Sequence, residues 1–135
     1  MKRMICMVFL LVFLLTGCGK GGNVSEVQVI TGESAIFTRQ EIEEAMEAAM
    51  DYFRKEFDGC TMTKISYDEE RSRKAAMEWA RQYGADEAIV LYSSFDVGAS
   101  GGDGSLNPNS TYNNWQWILT RDAGGEWVLR TWGYG

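Results

Sequence analysis

Four residues, Asp122-Ala-Gly-Gly125, interrupt a stretch of alternating aromatic and aliphatic side chains that runs from Tyr112 to Tyr134. No other feature constrains the fold as much. A connection of this length turns two strands back on each other as a hairpin. Counting outward sets Arg121 opposite Glu126, Leu119 opposite Val128, Trp117 opposite Arg130 and Trp115 opposite Trp132. One face then carries an ion pair, an aliphatic pair, a cation–π contact and an aromatic pair, all favourable between antiparallel neighbours. Ile118, Trp127 and Leu129 fall on the other face.

Two helices precede this hairpin. Thr38 and Glu41 have the spacing of a capping box, with Phe37 and Ile42 placed as the hydrophobic staple around it. Ile42, Met46, Ala49, Phe53 and Phe57 then draw one apolar stripe, and Gly59 is positioned to end the helix. Asp68 is the cap of a second helix, with Ala76, Trp79, Ala80 and Tyr83 on one face and Gly84 as terminator. Between them Cys60–Tyr67 reads as a strand, and Glu87–Val97 is the clearest strand of all. There Ile89, Leu91, Phe95 and Val97 share a face with Ser93, while Val90 and Tyr92 point the other way, the pattern of an interior strand. Val24–Ile30 suits either a short edge strand or an extended approach. The order helix, strand, helix, strand, strand, strand predicts an α+β domain. Its expected core is an antiparallel sheet of about four strands, covered on one side and packed on the long N-terminal helix. In element order this is comparable with the nuclear-transport-factor-2-like or cystatin-like architectures, a statement about shape alone.

The N-terminus has a different character. Lys2 and Arg3 open an apolar run, Met4 to Leu15, that ends in Leu15-Thr16-Gly17-Cys18. This is the pattern of a bacterial lipoprotein signal, and the run is shorter than the ~20 residues of a stable membrane span. The expected organisation is a signal peptide over 1–17, a lipidated Cys18 with a glycine-rich flexible tether over 18–35, and one globular domain over 36–135. The expected location is the outer face of the bacterial cell membrane, held there by acyl chains on Cys18. All 19 acidic residues lie beyond the signal, whereas two of the 13 basic ones lie within it. The processed chain thus has 11 basic against 19 acidic residues and a net charge of −8. Such a domain repels phosphate backbones, so nucleic acid is not an expected partner. There is no histidine, which removes imidazole acid–base chemistry. Cys6 falls in the signal and Cys18 carries lipid, so Cys60 has no partner for a disulfide or a zinc site and reads as a small core residue. No cofactor or metal is expected.

Gly98–Asn114 is a long loop rich in glycine, asparagine and serine, and loops of this length within a small domain are often functional. Asp103, Ser105, Asn107, Asn109 and Thr111 alternate as oxygen ligands do in a calcium loop. Pro108 stands where that loop needs glycine, Asn114 where it needs a bidentate glutamate, and no helices flank it. Asx turns that stabilise the loop from within are the better reading. Gly101-Gly102-Asp103-Gly104 also lacks the lysine and following helix of a phosphate cradle. Tyr112, Trp115, Trp117, Trp127, Trp132 and Tyr134 serve either as a stacking platform or as the bulk of a small core. The core reading is the better one for a domain this small; if any ring is free, it is Tyr112 or Trp115, beside the loop. The candidate ligand-binding residues are Asp96, Asp103, Asn107, Asn109, Tyr112 and Trp115, and no catalytic residue is singled out.

The run Ala85–Val97, the segment Gly-Gly-Asp-Gly-Ser-Leu-Asn-Pro-Asn-Ser-Thr-Tyr (101–112), Asn114-Trp-Gln-Trp-Ile-Leu119 and the Gly-Gly-x-Trp hairpin resemble a group of small lipoproteins of Gram-positive anaerobic bacteria. A similar module forms the outer portion of some membrane-embedded antirepressor-type peptidases. The resemblance covers roughly residues 36–135 and implies an exported module at the cell surface, with a sensing or interaction role. No activity or catalytic residue is assigned to that group, and the chain has no His-Glu-x-x-His motif, so no peptidase chemistry carries over. The expected function is a non-catalytic module that contacts a protein or small ligand through 98–114. The alternative is a small hydrolase or isomerase using carboxylates such as Asp96 or Asp103 in a cone-shaped pocket. Weak calcium or sugar binding is a third reading.

Overall fold

Thr38 adopts an extended backbone, accepts from the Glu41 N–H through its hydroxyl and so starts helix α1 (Arg39–Glu56). The Glu41 carboxylate reaches back to the Thr38 N–H at 2.8 Å, which completes the capping box. Ile42, Met46, Ala49 and Phe53 are buried along one stripe, with Phe57 beyond the helix end. These observations come from a computed structural model, which describes residues 21–134. The signal segment, Cys18 and the start of the tether lie outside the described residues.

The strands are β1 (Gln28–Ile30), β2 (Cys60–Ser66), β3 (Glu87–Val97), β4 (Thr111–Arg121) and β5 (Val128–Tyr134), and helix α2 spans Glu69–Tyr83. The molecule is α+β, with one five-stranded sheet in the order β1-β2-β3-β4-β5. The sheet is mixed rather than a four-stranded antiparallel one, because β1 adds at the edge parallel to β2, Val29 beside Ile65. It is also covered on both faces instead of one. Ile89, Leu91, Phe95, Trp117 and Leu119 pack on α1. Val90, Tyr92 and Ile118 point away from it and meet Ala75 and Trp79 of α2. The two apolar faces of β3 thus mark an interior strand and, in addition, a second helical layer. Ser72, the buried residue of α2, accepts the Val90 N–H at 3.0 Å and ties that layer to the sheet.

Residues 21–35, read above as tether, run against the domain. The Gly22 N–H donates to the Arg54 carbonyl, and Asn23 exchanges hydrogen bonds with Cys60 and Met62. Ser34 and the Ala35 N–H donate to the Glu69 carboxylate. The glycines here serve close approach: a Cβ on Gly22 would stand 2.4 Å from the Phe53 carbonyl oxygen.

The hairpin forms with a different register. Thr120 faces Val128, Leu119 faces Leu129, Trp117 faces Trp132 and Trp115 faces Tyr134, with an irregularity between Ile118 and Leu119. Ile118 pairs with Thr131 and Leu119 with Leu129, so Arg130 is the extra residue of a bulge. Arg130 accordingly leaves Trp117. Its Nε donates to the Thr120 hydroxyl at 2.9 Å, and its guanidinium lies 5.3 Å from the Tyr83 ring centre. Trp127 and Leu129 pack on the α1 side, not with Ile118 on the far face.

Candidate functional site

Arg121 does not pair with Glu126. Its side chain is only 8% exposed, with Nη2 2.6 Å from Glu41 Oε2 and Nε 2.6 Å from Glu87 Oε1. The guanidinium sits 4.3 Å above the Trp127 ring and 5.7 Å from the Phe37 ring. Burial opposes its charge, but the two carboxylates outweigh this and hold its pKa above the ordinary value. The Thr38 N–H and then Arg121 hold the Glu41 carboxyl below the usual carboxylate range. Trp127 Nε1 donates to the Glu41 carbonyl at 3.0 Å. This end of α1 is a filled cage with every charge answered.

The 98–110 loop lies at the other end. Its base is closed by the Val97 N–H on the Ser110 carbonyl and the Asn109 N–H on the Gly98 carbonyl. A second turn forms inside it, where the Gly104 and Leu106 N–H groups both donate to Gly101. Gly101 is buried at φ +72°, and a Cβ there would meet the Leu106 carbonyl oxygen at 2.6 Å, so only glycine closes this turn. Asp103 Oδ1 accepts from both the N–H and the hydroxyl of Ser105, and these bonds hold its carboxyl below the ordinary range. Asp103 therefore forms the Asx turn rather than offering a free metal ligand. Among the described residues no cluster of three or more Asp, Glu or Cys side chains is placed to hold a metal ion.

The other candidate residues separate into two groups. Asp96 is exposed and accepts the Thr111 hydroxyl at 2.7 Å, across the β3–β4 ladder. Asn109 is exposed at φ 55° and closes the loop base through its backbone. Neither lines the cavity between loop and helix described next. The Asn107 N–H donates to Tyr112 Oη, which couples the loop to the aromatic tier. Tyr112 stacks on Phe95 at 5.3 Å and meets Trp115 edge-on at 5.4 Å. Trp115 in turn packs against Phe57, Phe95 and Tyr134. Tyr112 and Trp115 are therefore half-buried members of the core's edge, in line with the core reading of the aromatic cluster. The exposed rings are Trp132, at 36%, and Tyr134, at 61%, both on the outer strand β5.

Between loop and helix lies a cavity of about 200 Å³. Tyr52, Glu56 and Phe57 at the end of α1 form one wall, Gly102, Asp103, Ser105 and Leu106 of the loop another, and Trp115 and Trp132 the third. Tyr52 and Trp132 touch ring to ring at 4.4 Å between centres. Trp115 Nε1 is buried without an acceptor, alone in this among buried side-chain polar atoms of the described residues. Sequence reasoning found Asp103 and Trp115 here and missed Tyr52, Glu56 and Trp132. The i,i+4 spacing of Tyr52 and Glu56 beside the apolar stripe was the available signal.

A second, wider depression of about 780 Å³ runs along α2 between Met77 and Ile36. It mixes Arg73 and Lys74 with Glu70 and Asp86, so it presents no consistent chemistry. Cys60 is buried, and its thiol is pushed up by that burial and by the nearby Asp58 and Asp103 charges, the opposite of activation. No family model matches this chain, and no curated protein or solved structure matches it significantly.

Proposed function

We propose that this chain is a non-catalytic binding module, held at the outer face of a bacterial cell membrane by lipid on Cys18, and that its ligand enters beside the 98–114 loop. The observation that carries this reading is the small cavity where the Asp103–Ser105 turn meets Tyr52, Trp115 and Trp132. A rigid loop with its own hydrogen bonds satisfied presents a preformed wall, which lowers the ordering cost of binding. The hydrolase or isomerase reading needs a carboxyl raised above its ordinary range in a pocket. The three carboxyls with displaced titration, Glu41, Glu69 and Asp103, are all displaced downward.

Removing 99–110 outright would expose the core at Leu106, so a substitution is the cleaner test. Ser105 is exposed on the cavity wall, and Ser105→Trp fills that space from outside. In a thermal-shift screen of small molecules, ligands of this site raise the melting temperature of the full chain and not of the variant. Hits that stabilise both equally would place the binding elsewhere. The anchor is tested by labelled palmitate, retained by the wild-type chain and lost on Cys18→Ala.

A further inference from the structure

The two ends of α1 meet similar surroundings on the sheet, but only one is filled. At the first, Glu41, Glu87, Trp127 and Phe37 enclose the guanidinium of Arg121. At the second, two carboxylates (Glu56 and Asp103) and four rings (Tyr52, Phe57, Trp115 and Trp132) surround the 200 Å³ cavity, and among the described residues no basic side chain lines it. We propose that this cavity binds a small alkylammonium cation. The inference rests on the binding-module reading above and adds the charge and chemistry of the ligand.

Three physical arguments support it. Aromatic faces attract cations through their quadrupoles, and ammonium heads bound by several rings are the recurrent outcome of such a lining. The local field is negative from several sources. Tyr52 is pushed up by burial and then by Glu56, and Cys60 by burial and then by Asp58 and Asp103. Glu56 also stands at the C-terminal end of α1, where the helix dipole adds negative potential that Arg54 and Lys55 of the same turn offset in part. Size narrows the choice as well. Drug-sized ligands need roughly 300–1,000 Å³, so this cavity suits a compact head with a short tail. A hard divalent ion is excluded by chemistry, since it wants six or more oxygens and would find two carboxylates among rings.

The test uses the full-length chain with isotope-labelled tryptophan in maltoside micelles. It is titrated with choline, tetramethylammonium and dimethylbutanol, the uncharged carbon isostere of choline. Choline should shift the indole N–H signals of Trp115 and Trp132 saturably in the millimolar range, roughly tenfold more tightly than the isostere. The double variant Glu56→Gln, Asp103→Asn changes two exposed side chains, keeps an amide oxygen to accept the Ser105 bonds of the loop turn, and should remove that preference. Glycerophosphocholine separates a free cation from a lipid headgroup, because the carboxylates repel its phosphate; either order supports the ammonium assignment. Equal binding of choline and its isostere would overturn the inference while leaving the binding site standing. The same holds if neither moves the two indoles but another ligand is lost on Ser105→Trp. Absence of any ligand sensitive to that variant would remove both readings.

Discussion

The two cages along α1 are built from the same parts and differ in where the cation comes from. Glu41 and Glu56 are fifteen residues apart on one helix, about 22 Å along its axis. At the near end β4 supplies its own guanidinium, and Arg121 is sealed by two carboxylates and two rings. At the far end the rings and carboxylates are present, and among the described residues no basic side chain joins them. The comparison teaches that similar side chains can be structure or site. What decides is whether the chain completes the charge balance itself. A filled cage contributes to stability and tolerates little change, whereas an open one contributes little and is free to bind.

Removing the internal cation is the most direct way to break this comparison. Arg121→Ala leaves Glu41 and Glu87 facing each other under Trp127 without a counter-charge. Breaking a fully buried pair costs about 3–5 kcal/mol. Both carboxylates here are about a third exposed, so we expect about 2–3 kcal/mol in urea unfolding. Adding Glu41→Gln and Glu87→Gln should recover much of the loss, since the uncompensated charges are then gone. If the triple variant is no more stable than the single one, packing rather than charge holds this end together.

The tryptophans give a smaller contrast. Trp127→Phe removes the indole hydrogen bond to the Glu41 carbonyl and the larger ring over Arg121, for about 1–2 kcal/mol. Trp132→Phe, at the exposed mouth of the open cage, should cost less than about 0.5 kcal/mol. Equal losses in chemical denaturation would mean that both rings are structural and that the open cage is simply core.

How much of this was legible in the sequence follows the range of the interactions. The Thr38–Glu41 box, the Ile42–Phe57 stripe, the Asp68 cap and the Gly84 terminator are local, and all of them form as read. The hairpin was legible as a hairpin. Its register was not, because the bulge turns Arg130 toward Tyr83 of α2, which only the folded domain brings near. Val24–Ile30 was legible as a short edge strand, but its parallel pairing and the docking of α2 on the far face of the sheet were hidden for the same reason. Gly21 and Gly22 signal freedom when read alone, yet their role is close approach to α1. Of the site, Asp103 and Trp115 were visible because they flank an unusual loop. Glu56 looked like one more solvated helix acid, and Trp132 was assigned an aromatic partner on the wrong register.

Acid titration sharpens the comparison through the charge of the filled cage. Glu41 is held below its ordinary value of 4.5 in the folded chain. Its contribution is therefore complete above the unfolded value and is lost as pH falls through the lower folded value. The stability gap between wild type and Glu41→Gln should be constant near neutrality and shrink once the buffer passes below 4.5. A gap that persists in acid would mean that the capping geometry, not the carboxylate charge, carries the effect.

The smallest expected effect is the most diagnostic. Among the described residues Glu56 has no basic partner at the cavity, and it sits in the last turn of α1 with Arg54 and Lys55, beside the negative end of the helix dipole. An anion there is unfavourable by about 0.3–1 kcal/mol at low salt. Glu56→Gln should therefore leave stability unchanged or raise it by a few tenths of a kcal/mol, in contrast to the loss expected at Glu41. The gain should fade as salt screens the dipole. It should also reverse when a saturating ammonium ligand is added, because the wild-type chain is then stabilised more than the variant. A carboxylate kept where it weakens the folded chain is what an open cage requires. If Glu56→Gln destabilises the chain without ligand, Glu56 is part of the fold, and the far end of α1 loses its distinction from the near one.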